Sequence, residues 1–126
     1  MFGDNNLINS YKRKIDYKNR ISIPKEYNAT NNESLFFINY GDEIRLYSLE
    51  ETEKIIELIY NYLKNNYSYI EHNHLKRELC SRVIYEVIVH SNKITIPKDL
   101  INKYSIDNEI ILEGKNKYVE LKKINK

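Results

Sequence analysis

The chain has 126 residues, about one ordinary domain, with room for a modest core but not for two independent ones. Its 20 Lys and Arg against 18 Asp and Glu leave a formal net charge of +2, and no apolar run approaches the roughly 18 to 20 residues of a membrane span. The single cysteine, Cys80, excludes an internal disulfide and has no second thiol with which to share a structural zinc, so a reducing compartment fits.

Met1-Phe2-Gly3-Asp4-Asn5-Asn6 lacks a charged start followed by an apolar stretch, and a cytoplasmic location is expected. Residues 11–15 and 20–24 read as two strands bracketing Asp16-Tyr17-Lys18-Asn19, good hairpin-loop chemistry. Ile21 and Ile23 alternate with Arg20 and Ser22, the period of a half-buried strand. Pro24 has no amide hydrogen, so it ends ladder pairing and suits the first position of a short helical turn over residues 24–27. Residues 34–38 and 43–47 are the next strands, joined by a turn at Asn39-Tyr40-Gly41-Asp42.

Ser48-Leu49-Glu50-Glu51 is a capping box, in which the serine accepts from the Glu51 amide and Glu51 reaches back. Ile55, Ile56, Ile59, Tyr62 and Leu63 follow as one apolar stripe, and the helix should end near Asn65-Asn66. A shorter helix over residues 73–81 leads into a strand over 83–89. Both helices are expected to pack against neighbouring subunits or cover the sheet. After a second short turn over residues 97–100, strands at 109–112 and 118–121 flank Glu113-Gly114-Lys115-Asn116.

The chain repeats itself. Asn19-Arg20-Ile21-Ser22-Ile23-Pro24-Lys25-Glu26-Tyr27 returns as Asn92-Lys93-Ile94-Thr95-Ile96-Pro97-Lys98-Asp99-Leu100, an offset of 92 − 19 = 73. The likeness extends to Gly41 and Gly114 if two residues are inserted after the second glycine. Two copies fall short of the roughly three a solenoid needs, and predict one pseudo-symmetric domain.

Charge separates the copies. Residues 11–20 carry Lys12, Arg13, Lys14, Lys18 and Arg20 against Asp16, or 5 − 1 = +4, while in 84–93 Lys93 cancels Glu86 and His90 is added. A basic hairpin suits phosphate binding, because each cation that meets a phosphate releases counterions. A solvated edge strand guarded by lysines gives the same composition. Asp16 and Arg20, four apart, can fix the loop by a charge-assisted hydrogen bond; an exposed pair contributing about 0 to 1 kcal/mol is the competing reading. By constant offset their partners in the second copy are Val89 and Lys93.

Asp16-Tyr17-Lys18-Asn19-Arg20-Ile21-Ser22-Ile23-Pro24 resembles the D-x-x-x-R signature, apolar strand and proline of the MraZ family, within the AbrB/SpoVT group of swapped-hairpin DNA-binding proteins. The doubled motif, Ile44-Arg45-Leu46-Tyr47-Ser48 and the connecting helix extend the resemblance over nearly the whole chain. It implies an α+β fold of two AbrB-like swapped-hairpin halves, residues 1–48 and 83–126, joined by a helical connection over 49–82 into a pseudo-symmetric, β-barrel-like domain. It further implies a nucleoid-associated transcriptional regulator of the division and cell-wall gene cluster. Such a protein binds double-stranded DNA at promoter repeats as a homo-oligomer, a ring being one form of assembly, without a cofactor. Lys12, Arg13, Lys14, Lys18 and Arg20 would face DNA, with Asp16 shaping the loop. Lys93 keeps the charge of its counterpart Arg20 without the planar fork. Many such relatives carry a further C-terminal helix, and none is expected in the few residues that follow Leu121.

An oligomeric protein-interaction or antitoxin-like module is the alternative. His72, His74 and Cys80 fit no standard zinc spacing, and no metal is expected. Tyr11 and Tyr17 offer stacking platforms for bases, but among 12 tyrosines strand packing is the expected role. No glycine-rich phosphate loop, G-x-S-x-G or HExxH is present, so no enzyme is expected.

Overall fold

The structure, a computed structural model, describes residues 1–124. In chain order these form β1 (Ser10–Lys14), β2 (Arg20–Ser22), a 3-10 turn at Lys25–Tyr27, β3 (Ser34–Asn39), β4 (Ile44–Ser48), α1 (Leu49–Asn66) and α2 (Tyr69–Val83). They continue with β5 (Ile84–Ile88), β6 (Lys93–Thr95), α3 (Lys98–Lys103), β7 (Glu109–Gly114) and β8 (Val119–Lys123). The fold is α+β.

Six strands make one antiparallel sheet in the order β1-β7-β8-β4-β3-β5, and β2 pairs with β6 in a separate ribbon. The barrel-like closure expected from sequence is not formed. β2 and β6 are three residues each and hydrogen-bond to each other, which leaves β1 and β5 as open edges of the large sheet. In the ribbon Ile21 lies opposite Ile94 and both turn into the core, while Arg20, Ser22, Lys93 and Thr95 alternate outward. Leu35, Phe37, Ile44, Leu46, Ile110 and Leu112 line the same core from the large sheet. Burying each such side chain contributes about 1.5–3 kcal/mol.

Strand pairing crosses between the motif copies. β1, before the first copy, pairs with β7, after the second; β5, before the second, pairs with β3, after the first. The Ile23 amide donates to Asn92 O (2.9 Å) and the Ile96 amide to Asn19 O (2.8 Å), the same bond made from each copy. The late turns also match, since the Tyr40 amide donates to Glu43 O and the Lys115 amide to Tyr118 O. This puts Asn116 (φ 70°), not Gly114, in the place of Gly41 (φ 84°), at an offset of 116 − 41 = 75, so the two extra residues of the second copy lie before the turn and not after a glycine. Gly114 ends β7 for another reason: a Cβ there would lie 2.6 Å from the backbone of Leu7 and Ile8.

Leu7 bridges to Asn116, and Phe2 stacks edge-on to Tyr27 with ring centroids 6.1 Å apart, so the N-terminal segment contributes to the core.

Ser48 caps α1 by accepting from the Glu51 amide at 3.2 Å. Glu51 does not reach back, because its carboxylate lies against Lys54 (3.2 Å) and near Lys117 (3.9 Å). Ser68 caps α2 in the same way, accepting from the Glu71 amide at 3.3 Å, and starts that helix earlier than residue 73. Of the expected stripe, Leu63 is buried, Ile55, Ile56 and Ile59 are half-buried, and Tyr62 is exposed. No helix among the described residues is long and apolar enough to cross a membrane.

Candidate nucleic-acid interface

Three residues, Tyr17-Lys18-Asn19, connect Asp16 to Arg20 in the loop between β1 and β2; these strands pair with β7 and β6 rather than with each other, so the first hairpin is a closed loop and not the two-stranded ladder expected from sequence. Asp16 organises them. Its Oδ1 accepts from the backbone amides of Lys18 and Arg20, both at 2.9 Å, and its Oδ2 accepts from Arg20 Nε at 2.8 Å. Its own amide donates to Arg20 O (3.0 Å), while Asn19 takes the left-handed conformation (φ 61°) that lets its amide turn back to Asp16 O (3.0 Å). The Arg20 amide first, with the Arg20 guanidinium and the Lys18 amide, favours the charged carboxylate and holds Asp16 below the usual Asp range. Among the described residues only Asp16 engages the Arg20 guanidinium, through Nε, which leaves its fork of Nη donors for another acceptor.

The other cations divide between two faces. Lys12 and Lys14 are exposed on one side of β1, Lys12 lying 3.5 Å from Glu109. Arg13 alternates to the other side with Tyr11: its guanidinium lies 5.5 Å from the Tyr11 ring, Nη1 donates to Lys12 O, and Nε is buried without a partner. The period-two pleat thus separates Arg13 from the group it was expected to join. Lys18 stands at the exposed tip, its Nζ 5.5 Å from the Tyr17 ring. Lys93 shares the outer face of the ribbon with Arg20, the two starting their strands at opposite ends, since Arg20 lies opposite Thr95 and Lys93 opposite Ser22.

The second hairpin closes one residue sooner. His90 and Lys93 exchange both backbone hydrogen bonds at 2.9 Å across Ser91 (φ 50°) and Asn92 (φ 63°), a two-residue turn of the primed kind. The amide of Ile15 donates to Asn108 O and that of Val89 to Glu33 O, so Val89 stands where Ile15 does, in the core. The counterpart of Asp16 is therefore His90, not Val89, and among the described residues no carboxylate organises this loop.

The two tyrosines of the first hairpin part company. Tyr11 packs edge-on against Tyr27 with centroids 5.4 Å apart, a strand-packing role, whereas Tyr17 is 86% exposed. His72 is buried between the rings of Tyr60 and Tyr69, while His74 is exposed beside Glu78 (3.6 Å). One cluster escaped notice in the sequence. Arg45 lies between Tyr40 and Tyr118, 4.0 and 4.3 Å from their centroids, and donates to Glu43 and to the Tyr47 hydroxyl (3.2 Å). Burial pushes the Tyr47 phenol up to about 12, so it stays neutral. Tyr40, Glu43 and Tyr47 lie within five residues of Arg45, and only Tyr118, which closes the other side of the guanidinium, comes from far along the chain.

The arrangement is an ordered cationic loop with exposed lysines on the strand that leads into it, suited to an anionic polymer. No family model matches the chain. The chain is 30% identical over 121 residues to "Transcriptional regulator MraZ" of Ureaplasma urealyticum serovar 10, covering 91% of this chain and 79% of that protein. It is 28% identical over 118 residues to the protein of the same name from Ureaplasma parvum serovar 3, with the same coverage. With the Asp16 to Arg20 signature folded as a loop and the relatives matched along most of their length, the chain belongs to the MraZ family.

Proposed function

We propose that this chain is a sequence-specific transcriptional regulator that binds double-stranded DNA at promoter repeats through its first hairpin. The observation that carries the reading is the Asp16 carboxylate, whose three accepted hydrogen bonds hold Lys18 and Arg20 in one ordered loop. Arg20 supplies a fork for a phosphate or a guanine edge, and Lys12, Lys14 and Lys18 supply phosphate contacts. Lys93 adds charge from the other end of the ribbon. The names of the relatives agree with this role, and a regulator of this kind works in the cytoplasm, on the nucleoid.

The exchange of β1 and β5 between the motif copies supports two AbrB-type swapped-hairpin halves, residues 1–48 and 83–126, forming one pseudo-dimeric unit with 49–82 as its helical connection. Exposed Leu58, Tyr62, Tyr69 and Ile70 on the helices support self-association, a ring being one closed form. Several basic loops on one assembly would raise avidity for repeated sites, for which the division and cell-wall gene cluster is the expected target. The same exposed apolar side chains favour the alternative, a protein-interaction or antitoxin-like module.

Fluorescence anisotropy with a duplex from the chain's own upstream region separates the two. Four or five phosphate contacts predict a slope of log affinity on log salt of about −3 to −5. Absent or salt-insensitive binding, with stable co-purification of a partner protein, would favour the alternative.

A further inference from the structure

We infer that Tyr17 is a base-reading residue of the DNA interface, supplying an apolar contact in a groove where its neighbours supply charge. This rests on the DNA-binding reading above. At 86% exposure Tyr17 is the most exposed large hydrophobic side chain among the described residues, and it stands on a loop that Asp16 holds in one shape. Exposed aromatics on mobile segments are common and carry little meaning. An aromatic ring carried on an ordered cationic loop is a partly preorganised contact, because the backbone that presents it is already held and only the side chain remains to be ordered when it is covered.

Its surroundings define what can cover it. Lys18 Nζ lies 5.5 Å from the ring centroid, so a surface that meets Tyr17 also meets a cation, and Arg20 closes the same short loop through Asp16. An apolar surface embedded in dense negative charge is the base edge of a duplex, bounded by phosphates on both strands. A neutral ring displaces no counterion, and although the Tyr17 hydroxyl can donate to a phosphate, the apolar ring itself is satisfied only by base edges, such as the thymine methyl in the major groove; Tyr17→Phe separates the two. The second hairpin offers no equivalent, since its tip is Ser91-Asn92. Tyr11, the other tyrosine of the basic hairpin, is already committed to Tyr27.

The test compares Tyr17→Ala, Tyr17→Phe and Lys18→Ala, each as the full chain, on a duplex from the chain's own upstream region and on a shuffled duplex of equal composition, across a salt series. Tyr17→Ala should weaken the upstream duplex about tenfold, leaving the shuffled duplex and the salt slope unchanged. Tyr17→Phe, which keeps the ring, should bind within about twofold of wild type. Lys18→Ala should weaken both duplexes and reduce the slope by about one. The assignment is overturned if Tyr17→Ala binds the upstream duplex as wild type does, or loses equally on both duplexes. Wild type that binds neither duplex, or both alike, overturns the sequence-specific reading itself and Tyr17's role with it.

Discussion

Asp16 meets Arg20 twice, its Oδ1 accepting from the backbone amide at 2.9 Å and its Oδ2 from Nε at 2.8 Å. The carboxylate therefore fixes both where the second strand begins and where its first side chain points. Asp16→Ala removes all three hydrogen bonds and should mobilise Lys18, read as a fall in the backbone heteronuclear NOE at its amide. Asp16→Asn keeps an oxygen for the backbone and loses the charge toward Arg20, so it should fall between Ala and wild type in DNA affinity. A Lys18 amide as ordered in Asp16→Ala as in wild type would remove the loop-shaping role.

Acid should open the same loop. A carboxylate whose folded pKa is depressed contributes stability that is fully present above its ordinary value, here 3.8, and lost as pH falls through the folded value. A carbon-detected NMR titration of the Asp16 carboxyl should give a midpoint below 3.8, with the Lys18 and Arg20 amides shifting in step. A midpoint at or above 3.8 would mean that those amides do not donate to it.

Ile21 and Ile94, opposite each other at the centre of the ribbon and each 1% exposed, tie the two motif copies to one core. Either one changed to Ala should cost about 2–5 kcal/mol in urea unfolding. The double variant should lose less than the sum, because the cavities merge. A loss well under 1 kcal/mol from either change would show that the ribbon is not part of the core.

The two glycines that look alike in sequence should respond differently. Gly114→Ala drives a Cβ into the Leu7 and Ile8 backbone and should cost about 1–3 kcal/mol. Gly41 has open space around it and a positive φ, and Asn116 fills the matching position, so Gly41→Asn should be nearly neutral by the same measurement. Equal responses would undo the assignment of Asn116 to the place of Gly41.

Much of this was legible in the chain. Alternation around Ile21 and Ile94, the prolines after Ile23 and Ile96, and the Ser48 cap are local signals, and the structure carries each of them. The Asp16 to Arg20 contact was legible because both residues lie in one short loop. What is not legible is partly non-local or hidden by a length difference, and partly a local pattern that charge or polarity masks. A constant offset of 73 holds for the ribbon, but one fewer residue in the second hairpin loop moves the match of Asp16 from Val89 to His90. Gly114 looks like a turn glycine in sequence because its close neighbour, the Leu7 to Ile8 backbone, lies more than a hundred residues away. Arg13 shares the charge of Lys12 and Lys14, and only the pleat separates it from them. The start of α2 was missed although Ser68 and Glu71 form the same three-residue cap spacing as Ser48 and Glu51.

Footprinting on the chain's own upstream region, wild type beside Arg20→Ala, asks most directly whether the first hairpin recognises DNA. Wild type should protect discrete, repeated sites at moderate salt. Arg20→Ala should protect none at the same concentration, while its circular dichroism stays that of the folded protein. A folded Arg20→Ala variant that protects the same sites equally well would contradict recognition through this loop.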